Sequence, residues 1–307
     1  MTPAMRFDFI EAARQQQPQW KAAALCRILG VSRSGYAAWH KRQRQSPSLR
    51  QQEESRLVLH IRAAYRKGRS YYGSPRVYDE LRDQGIVTSR KRVARLMRQE
   101  RLVGRSRSRS KLTTTDSRHA WPVAPNLLAR RFAPAAVGAL NRSWCGDITY
   151  VATTEGWQYL AIVQDLFSRR VLGWAMSDTL ETRLVEQAWQ QALRTRGFGS
   201  GQGPYLYHSD RGSQYASHLF QAALARAGTH SSMSEKGECY DNAVAESFFG
   251  TYKAELLADQ PQRRFASKAQ AWMLTADYID NFYNPVRRHS TLGSRSPLAF
   301  ELAQQVK

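Results

Sequence analysis

The sequence predicts a mixed α/β domain in the C-terminal half of a 307-residue chain, preceded by all-α segments. Three observations predict this class. After residue 140 the apolar pattern follows the order βββαβαβα. The first 104 residues contain two pairs of helix start and stop signals. Between these regions lies a basic stretch without apolar periodicity, which is typical of a linker.

Three β-rich runs open the C-terminal half. Short polar breaks separate them, and strands so close together favour an antiparallel meander. The runs are WCGDITYV at 144–151, GWQYLAIVQDLFS at 156–168 and RRVLGWAMS at 169–177.

Helices and strands then alternate. The pattern predicts helices at 181–196, 214–227 and 241–257, and strands at 204–210 and 229–234. Periodicity alone establishes a mixed α/β sheet flanked by helices. The order of elements is that of RNase H-like domains, an assignment made by fold analogy.

The first half predicts two helix-turn-helix segments. In the first, a helical run at 21–29 is followed by a turn at Gly30 and a second helix capped by Ser32. A plain helical hairpin that does not contact DNA is the alternative. In the second, Ser74-Pro75 begins one helix and Ser89 caps the next.

Basic residues on that last helix share one face. Lys91, Arg95 and Arg98 are spaced i, i+4 and i+7. Such a stripe suits a duplex groove or its phosphates, and a solvated surface is the alternative. The predicted DNA contacts here are Arg90, Lys91, Arg95 and Arg98.

The predicted linker is strongly basic. Residues 101–118 contain one acid and no apolar periodicity, so we expect a flexible segment that either tracks a DNA backbone or joins domains. Its predicted DNA contacts are Arg105, Arg107 and Arg109. The predicted divisions of the chain are 1–60, 61–104, 105–140 (the linker), 141–260 (the α/β core) and 261–307 (a C-terminal helical extension).

The positive charge lies almost entirely in the first half. Residues 1–140 carry 29 Lys and Arg against 9 Asp and Glu, whereas residues 141–307 carry 17 against 16. Concentrated positive charge attracts a polyanion, and nucleic acid is favoured over a membrane surface because no amphipathic anchor is evident. No apolar run spans a bilayer, no signal peptide is evident, and the three cysteines form no CxxC pair. We therefore expect a reduced cytoplasmic compartment.

Three acids are the candidate catalytic residues. Asp147 lies in the first strand, Asp210 ends the fourth, and Glu246 lies on the last helix. In a mixed sheet the first and fourth strands can be neighbours, so the acids could converge. Carboxylates in such a group suit Mg²⁺, with Mn²⁺ as a substitute. Two ions could serve the attacking and leaving oxygens of an in-line displacement, with the acids as metal ligands.

Several polar residues near these acids are candidate DNA contacts. Lys253 follows Glu246 on the same helix and could meet a phosphate, although a surface lysine is the alternative. Arg287 and Arg288 could bind the DNA backbone or form an ordinary basic tail. The remaining candidates are Asn242, Arg211 and Gln214.

Five motifs in order resemble one family. Asp210 and Glu246 have 35 residues between them, which is the family's D-35-E spacing, and Lys253 matches its following basic residue. The chain thus resembles the second-frame (OrfB) DDE transposases of the bacterial IS-three family, which have a retroviral-integrase-like core. The motifs are YGSPRVYDEL at 72–81, WCGDITYV, HSDRGSQY at 208–215, SEKGECYDNAVAESFF at 234–249 and YNPVRRHSTLGSRSPLAF at 283–300.

The resemblance implies an RNase H-like integrase core, DNA strand cleavage at element ends, strand transfer and a Mg²⁺ requirement. It also implies fusion to an upstream first-frame protein by frameshifting. Because two element ends must be held together, we expect a dimer or larger assembly on DNA. Two alternatives are a DNA-binding regulator with an inactive core and an RNase H-like nuclease without strand transfer.

Overall fold

The computed structural model describes residues 2–44, 48–106, 121–236 and 238–305. It divides into two compact units, residues 1–59 and residues 60–307. The boundaries predicted at 104, 140 and 260 all lie inside the second unit. Among the described residues, no helix combines the length and the apolar character that crossing a membrane requires.

The first unit is helical. It contains α1 (Pro3–Gln16), α2 (Ala22–Ile28) and α3 (Arg33–Arg44), and α4 (Leu49–Lys67) continues from it into the second unit. Helices α2 and α3 confirm the predicted pair, whereas α1 and α4 were not predicted. Helix α1 completes the small core, which contains Ile10, Ala13, Leu25, Cys26 and Tyr36.

The second unit begins with the predicted second helix pair, which the structure confirms as α5 (Ser74–Asp83) and α6 (Arg90–Gln99). The Ser89 hydroxyl accepts a hydrogen bond from the Arg92 amide and caps α6, as the sequence predicts. Both helices bury one apolar face, formed by Val77, Leu81, Val93, Leu96 and Met97.

A five-stranded mixed sheet forms the centre of the second unit. Its strands are β1 (Ser143–Thr153), β2 (Gly156–Asp165), β3 (Val171–Ser177), β4 (Leu206–Ser209) and β5 (His230–Met233). The spatial order is β3-β2-β1-β4-β5, with β1–β2 and β2–β3 antiparallel and β1–β4 and β4–β5 parallel. The predicted meander and the contact of the first strand with the fourth are confirmed.

Helices cover both faces of the sheet. They are α7 (Pro134–Val137), α8 (Thr182–Arg196), α9 (Ser213–Ala216), α10 (His218–Arg226) and α11 (Ala243–Glu255). Helices α8 and α10 bury one face of the sheet around Trp144, Trp189 and Phe220. The helix predicted at 214–227 is divided at Ser217, which caps α10 through its hydroxyl.

Residues 121–140 are packed against the core, which corrects their prediction as flexible linker. Leu128 and Val137 are buried beside Cys145 and Leu166. The segment's three prolines made it resemble a linker, but its apolar side chains cover the end of β1. Folding therefore orders this segment largely through the burial of these side chains, with the short helix α7 as its regular element.

The C-terminal region completes the second unit. It contains α12 (Lys268–Ala276), a π-helical turn (Asp277–Tyr283) and α13 (Pro297–Gln305). Glu301 of α13 accepts hydrogen bonds from Arg196 and Arg170, so this predicted extension is joined to α8 and to the start of β3.

Candidate active site

Strand register brings Asp147 and Asp210 to the same level of the sheet. The parallel pair β1–β4 matches Ser143 with Leu206 and Cys145 with His208. Continued by two residues beyond that pair, the same register matches Asp147 with Asp210. Asp147 in β1 therefore lies beside the end of β4, which Asp210 directly follows.

Helix α11 packs on the face of the sheet that carries these aspartates. Cys145 and Leu206 are buried together with Ala245, near the start of α11. Side chains two residues apart in a strand share a face, so Asp147 lies on the face of Cys145. Glu246 follows Ala245 in the first turn of α11 and is exposed. The fold thus directs all three acids to one region.

The three acids interact electrostatically. Burial raises the pKa of Asp147 well above its ordinary value, and the charges of Asp210 and Glu246 raise it further. The Ile148 amide, which donates to the Asp147 carboxylate at 2.9 Å, and the charge of Lys253 act in the opposite direction. Repulsion between these carboxylates is the condition that a bound cation relieves.

The loop after β4 is held by its own polar groups. The Gly212 amide donates to Oδ1 of Asp210 at 2.9 Å. Arg211 Nε donates to the Ser234 carbonyl at 2.5 Å, and Gln214 Nε2 donates to the Leu180 carbonyl at 3.1 Å. Both side chains are half-buried beside Asp210 and contribute to the conformation of this loop.

Lys253 and Asn242 occupy different environments on α11. Lys253 is half-buried; burial lowers its pKa, and the charge of Asp147 opposes that shift. Asn242 is buried, and its Nδ2 lies 3.4 Å from the Gly146 carbonyl of β1. The predicted DNA contact of Asn242 conflicts with this burial, because the amide faces the sheet instead of solvent.

The donor chemistry of the three acids fits a hard divalent cation, with Asp147, Asp210 and Glu246 as the residues that would hold it. Among the described residues, no three or more His, Cys, Asp or Glu side chains are arranged so that they could hold a metal ion. The acids therefore share one region of the fold without forming a closed coordination cage.

His208 is a structural residue next to this group. It is fully buried, and its Nδ1 lies 2.9 Å from the Ser232 hydroxyl. Burial lowers its pKa to about 4, so the ring is neutral at physiological pH. A neutral histidine bonded to serine supports the sheet and adds no charge to the site.

The predicted basic face of α6 is exposed. All four predicted residues, Arg90, Lys91, Arg95 and Arg98, lie on the surface. Arg90 stacks over the ring of Tyr78 at 5.3 Å. Arg105 is also exposed and forms an ion pair with Asp259. Arg107 and Arg109 lie outside the described residues.

Arg287 and Arg288 contradict their predicted role as DNA contacts. Arg287 is buried and donates to Glu255 from Nε at 2.8 Å and from Nη2 at 2.6 Å. Arg288 donates to Glu80 at 2.8 Å and to Asp83 at 2.6 Å. Their guanidinium groups are occupied inside the protein, because acids distant in sequence surround them.

Family models match most of the second unit. A model described as an integrase core domain matches residues 139–239, and a second integrase core model matches residues 227–297. A model described as an HTH-like domain matches residues 51–110. The integrase-core matches cover the sheet, α11 and all three candidate acids.

Relatives match nearly the whole chain. An uncharacterized 31 kDa protein of insertion element IS600 from Shigella sonnei is 42% identical and covers 90% of this chain and 97% of its own length. The transposase InsF of insertion sequence IS3A from Escherichia coli (strain K12) is 40% identical, over 97% of this chain and 98% of its own length. This chain belongs to the IS-three family of transposases. It is a polynucleotidyl transferase with an integrase catalytic core, of a kind that depends on divalent metal.

Solved structures similar to this transposase include viral integrases. The catalytic core domain of HTLV-2 integrase, solved in complex with magnesium in a trimeric form, has a TM-score of 0.39 and 17% identity, over 52% of this chain and 95% of that one. The catalytic core domain of BIV integrase has a TM-score of 0.37 and 14% identity, over 54% and 97%. The fold assignment comes from the family match and the strand order.

Gly146 is a residue of the transposase site that sequence reasoning missed. A Cβ atom at this position would lie 1.8 Å from the Tyr207 hydroxyl, so only glycine fits. Tyr207 is buried on the face opposite Asp210. Strand alternation in YLYHSD, combined with the β1–β4 register, would have placed the two residues together. Gly146 thus leaves room for the buried Tyr207 side chain to lie across β1.

Proposed function

We propose that this transposase cleaves DNA strands at the ends of its insertion sequence and joins them to target DNA, with Asp147, Asp210 and Glu246 as its catalytic triad. The observation that carries the proposal is the β1–β4 register, which makes the two aspartates neighbours on the face that α11 covers. Their electrostatic coupling to Glu246 supports the same grouping.

The three carboxylates are proposed to hold Mg²⁺, or Mn²⁺ as a substitute, with two ions per site. When bound, the ions would activate the attacking oxygen and stabilise the leaving oxygen of the phosphodiester. The role of the protein is to supply oxygen ligands at three fixed places. Gly212 orients the Asp210 carboxylate, and the Ile148 amide orients that of Asp147.

Lys253 is proposed to contact a DNA phosphate next to the acids. It is half-buried and interacts with Asp147, so its ammonium group lies near the site. Arg211 and Gln214 are proposed to contact the same strand from the loop after β4, beyond the hydrogen bonds they make within the protein.

The exposed basic face of α6 is proposed to bind the element ends with sequence specificity. It is the second helix of an HTH-like pair and presents four cations to solvent. Phosphate contacts would position the duplex, and base contacts would specify it. Arg105, Arg107 and Arg109 are proposed to follow the adjacent backbone.

Assembly is proposed to accompany binding, because one reaction joins two element ends. We expect a dimer or larger homo-oligomer on DNA, and fusion to an upstream first-frame protein by frameshifting. The mass of the paired-end complex tests the first expectation, since one protein per pair of ends would contradict it. We propose a cytoplasmic, nucleoid-associated protein on the same grounds of charge and family.

The test uses a labelled duplex that carries the terminal repeat. Wild-type protein with Mg²⁺ should cut and join this DNA, whereas Asp147→Asn should bind it without cutting. Asp178→Asn is a matched control, because Asp178 is an exposed acid after β3 that pairs with Lys268 instead of the triad. Cutting by the Asp147→Asn variant at the wild-type rate would exclude Asp147 from catalysis.

A regulator that binds DNA without cutting it is the second candidate. It is favoured by the lack, among the described side chains, of a ready-made group of three acids that could hold a metal. Binding without cutting by both proteins in the same assay would support it. Cutting without joined products would instead indicate a nuclease.

A further inference from the structure

Two adjacent arginines near the C-terminus bind carboxylates on two different parts of the second unit. Arg287 forms two hydrogen bonds with Glu255, the last residue of α11. Arg288 binds Glu80 and Asp83, which lie on α5. One dipeptide therefore connects the helix that carries Glu246 with the helix pair that carries the basic face of α6.

Further contacts strengthen this connection. Tyr72, fully buried before α5, donates from its hydroxyl to the Val286 carbonyl and accepts from the Arg288 amide, both at 3.0 Å. The Ser294 hydroxyl donates to Asp79. Arg76 of α5 lies 3.8 Å from the same Glu255 that binds Arg287. Helix α5 is thus held to the C-terminal segment through Asp79, Glu80 and Asp83, and it reaches the end of α11 through Arg76.

Burial distinguishes most of these groups from surface ion pairs; Arg288 is half-buried, and Asp83 is the exposed member of the connection. Arg287 is 4% exposed, Glu255 is 2% exposed and Glu80 is 3% exposed. Exposed pairs exchange partners with water and salt, whereas the bidentate bond of Arg287 to Glu255 is shielded from water and keeps its geometry. The connection therefore fixes orientation as well as proximity.

We infer that Arg287 and Arg288 are positioning residues, which hold the α5–α6 pair at a fixed distance from the three acids and so determine which phosphodiester of the element end is cut. This inference rests on the proposed function. If α6 binds the terminal repeat and the acids cut it, a rigid connection converts the binding position into a cutting position. Loosening the connection should then spread the cuts over several nucleotide positions while leaving the affinity for DNA unchanged.

The experiment maps cut sites at nucleotide resolution with the full-length protein, Mg²⁺ and a labelled terminal-repeat duplex. Wild type should cut at one dominant position. Arg288→Ala should lower the share of cuts at that position by about threefold or more, since small misplacements strongly affect positioned reactions. Its affinity for the duplex should stay within about twofold of wild type, because Arg288 contacts acids rather than phosphate. Arg183→Ala, which removes an exposed arginine of α8, is the matched control and should keep the wild-type pattern.

The share of cuts at each position does not depend on how much protein is folded, so a merely structural effect would lower the total yield without moving the cuts. Ser294→Ala and Arg288→Lys are milder variants that decide the question if Arg288→Ala does not fold. An unchanged cut distribution in the variants that fold would overturn the inference while leaving the proposed function intact. No cutting by the wild type would instead refute the proposed function.

Discussion

The basic face of α6 and the Arg287-Arg288 pair have the same kind of charge but different environments. Both are short basic clusters, and both predict phosphate contacts. On α6 the cations are exposed, whereas Arg287 is buried in a bidentate bond to Glu255 and the half-buried Arg288 is bound to acids of α5. The difference shows that the role of a basic cluster depends on acids brought to it by the fold.

The two clusters should therefore respond to mutation in different ways. A buried arginine contributes to stability and to the relative position of helices. An exposed arginine on α6 contributes to the attraction of DNA, with its dependence on salt. The four predictions below test this distinction, from the largest expected effect to the smallest.

Arg287→Ala should give the largest effect, a loss of about 3 kcal/mol in the free energy of unfolding, because it removes both arginine hydrogen bonds to the buried Glu255 and leaves only the longer ion pair with Arg76 at 3.8 Å. Chemical denaturation followed by tryptophan fluorescence measures this loss. Arg98→Ala, on the exposed face of α6, is the control and should change stability by less than about 0.5 kcal/mol. Equal stability losses in the two variants would contradict the distinction between the clusters.

Removal of α6 cations should weaken DNA binding without lowering stability. In the double variant Arg95→Ala/Arg98→Ala, the slope of log affinity against log salt should become shallower by roughly 0.9 for each phosphate that the protein no longer neutralises. Titration of a terminal-repeat duplex at several salt concentrations measures the slope. Arg288→Ala should retain the wild-type slope, and a shallower slope in that variant would mean that Arg288 does reach DNA.

The two clusters also indicate which features of the fold can be predicted from the sequence. Local signals predicted the local features: Ser89 caps α6, and the five strands lie along the chain where the apolar pattern places them. The D-35-E spacing located Asp210 and Glu246 as candidates. The proximity of Asp147 to Asp210 depended on one further expectation, that the first and fourth strands are adjacent. The strand pairing of the sheet confirms this expectation.

The features that sequence reasoning missed depend on partners distant in the chain. Nothing near Arg287 indicates Glu255, which lies 32 residues away, and nothing near Arg288 indicates Glu80, 208 residues away. The burial of Leu128 within a proline-containing segment is of the same kind, because its apolar contacts form only when the sheet has folded. Local periodicity carries no information about such contacts.

The acids around Arg288 predict a pH dependence that the α6 face lacks. Burial would raise the pKa of Glu80, but hydrogen bonds from Lys67 and Arg288 outweigh it and hold the pKa below its ordinary value of 4.5. A lowered pKa stabilises the fold above the unfolded value, and this stability is lost as pH falls through the folded value. The stability difference between wild type and Arg288→Ala should therefore be largest at neutral pH and shrink below pH 4.5.

Denaturation curves at pH 7 and in acid measure this difference. Arg98→Ala should show a small difference from wild type that does not change with pH, since its exposed guanidinium is not part of this group of acids. A difference for Arg288→Ala that stays constant into acid would mean that Glu80 and Asp83 do not depend on Arg288 for their charge.

Arg105 should give the smallest effect, because it combines properties of both clusters. It is paired with Asp259 as Arg288 is paired with Glu80, yet both side chains of that pair are 42% exposed. Surface pairs contribute about 0–1 kcal/mol, so Arg105→Ala should hardly change stability. If exposure decides the role of an arginine, this variant should instead make the salt slope of DNA binding shallower, as α6 variants do. If pairing decides, the slope should stay as in wild type, and the distinction drawn from burial would have to be replaced by one drawn from partners.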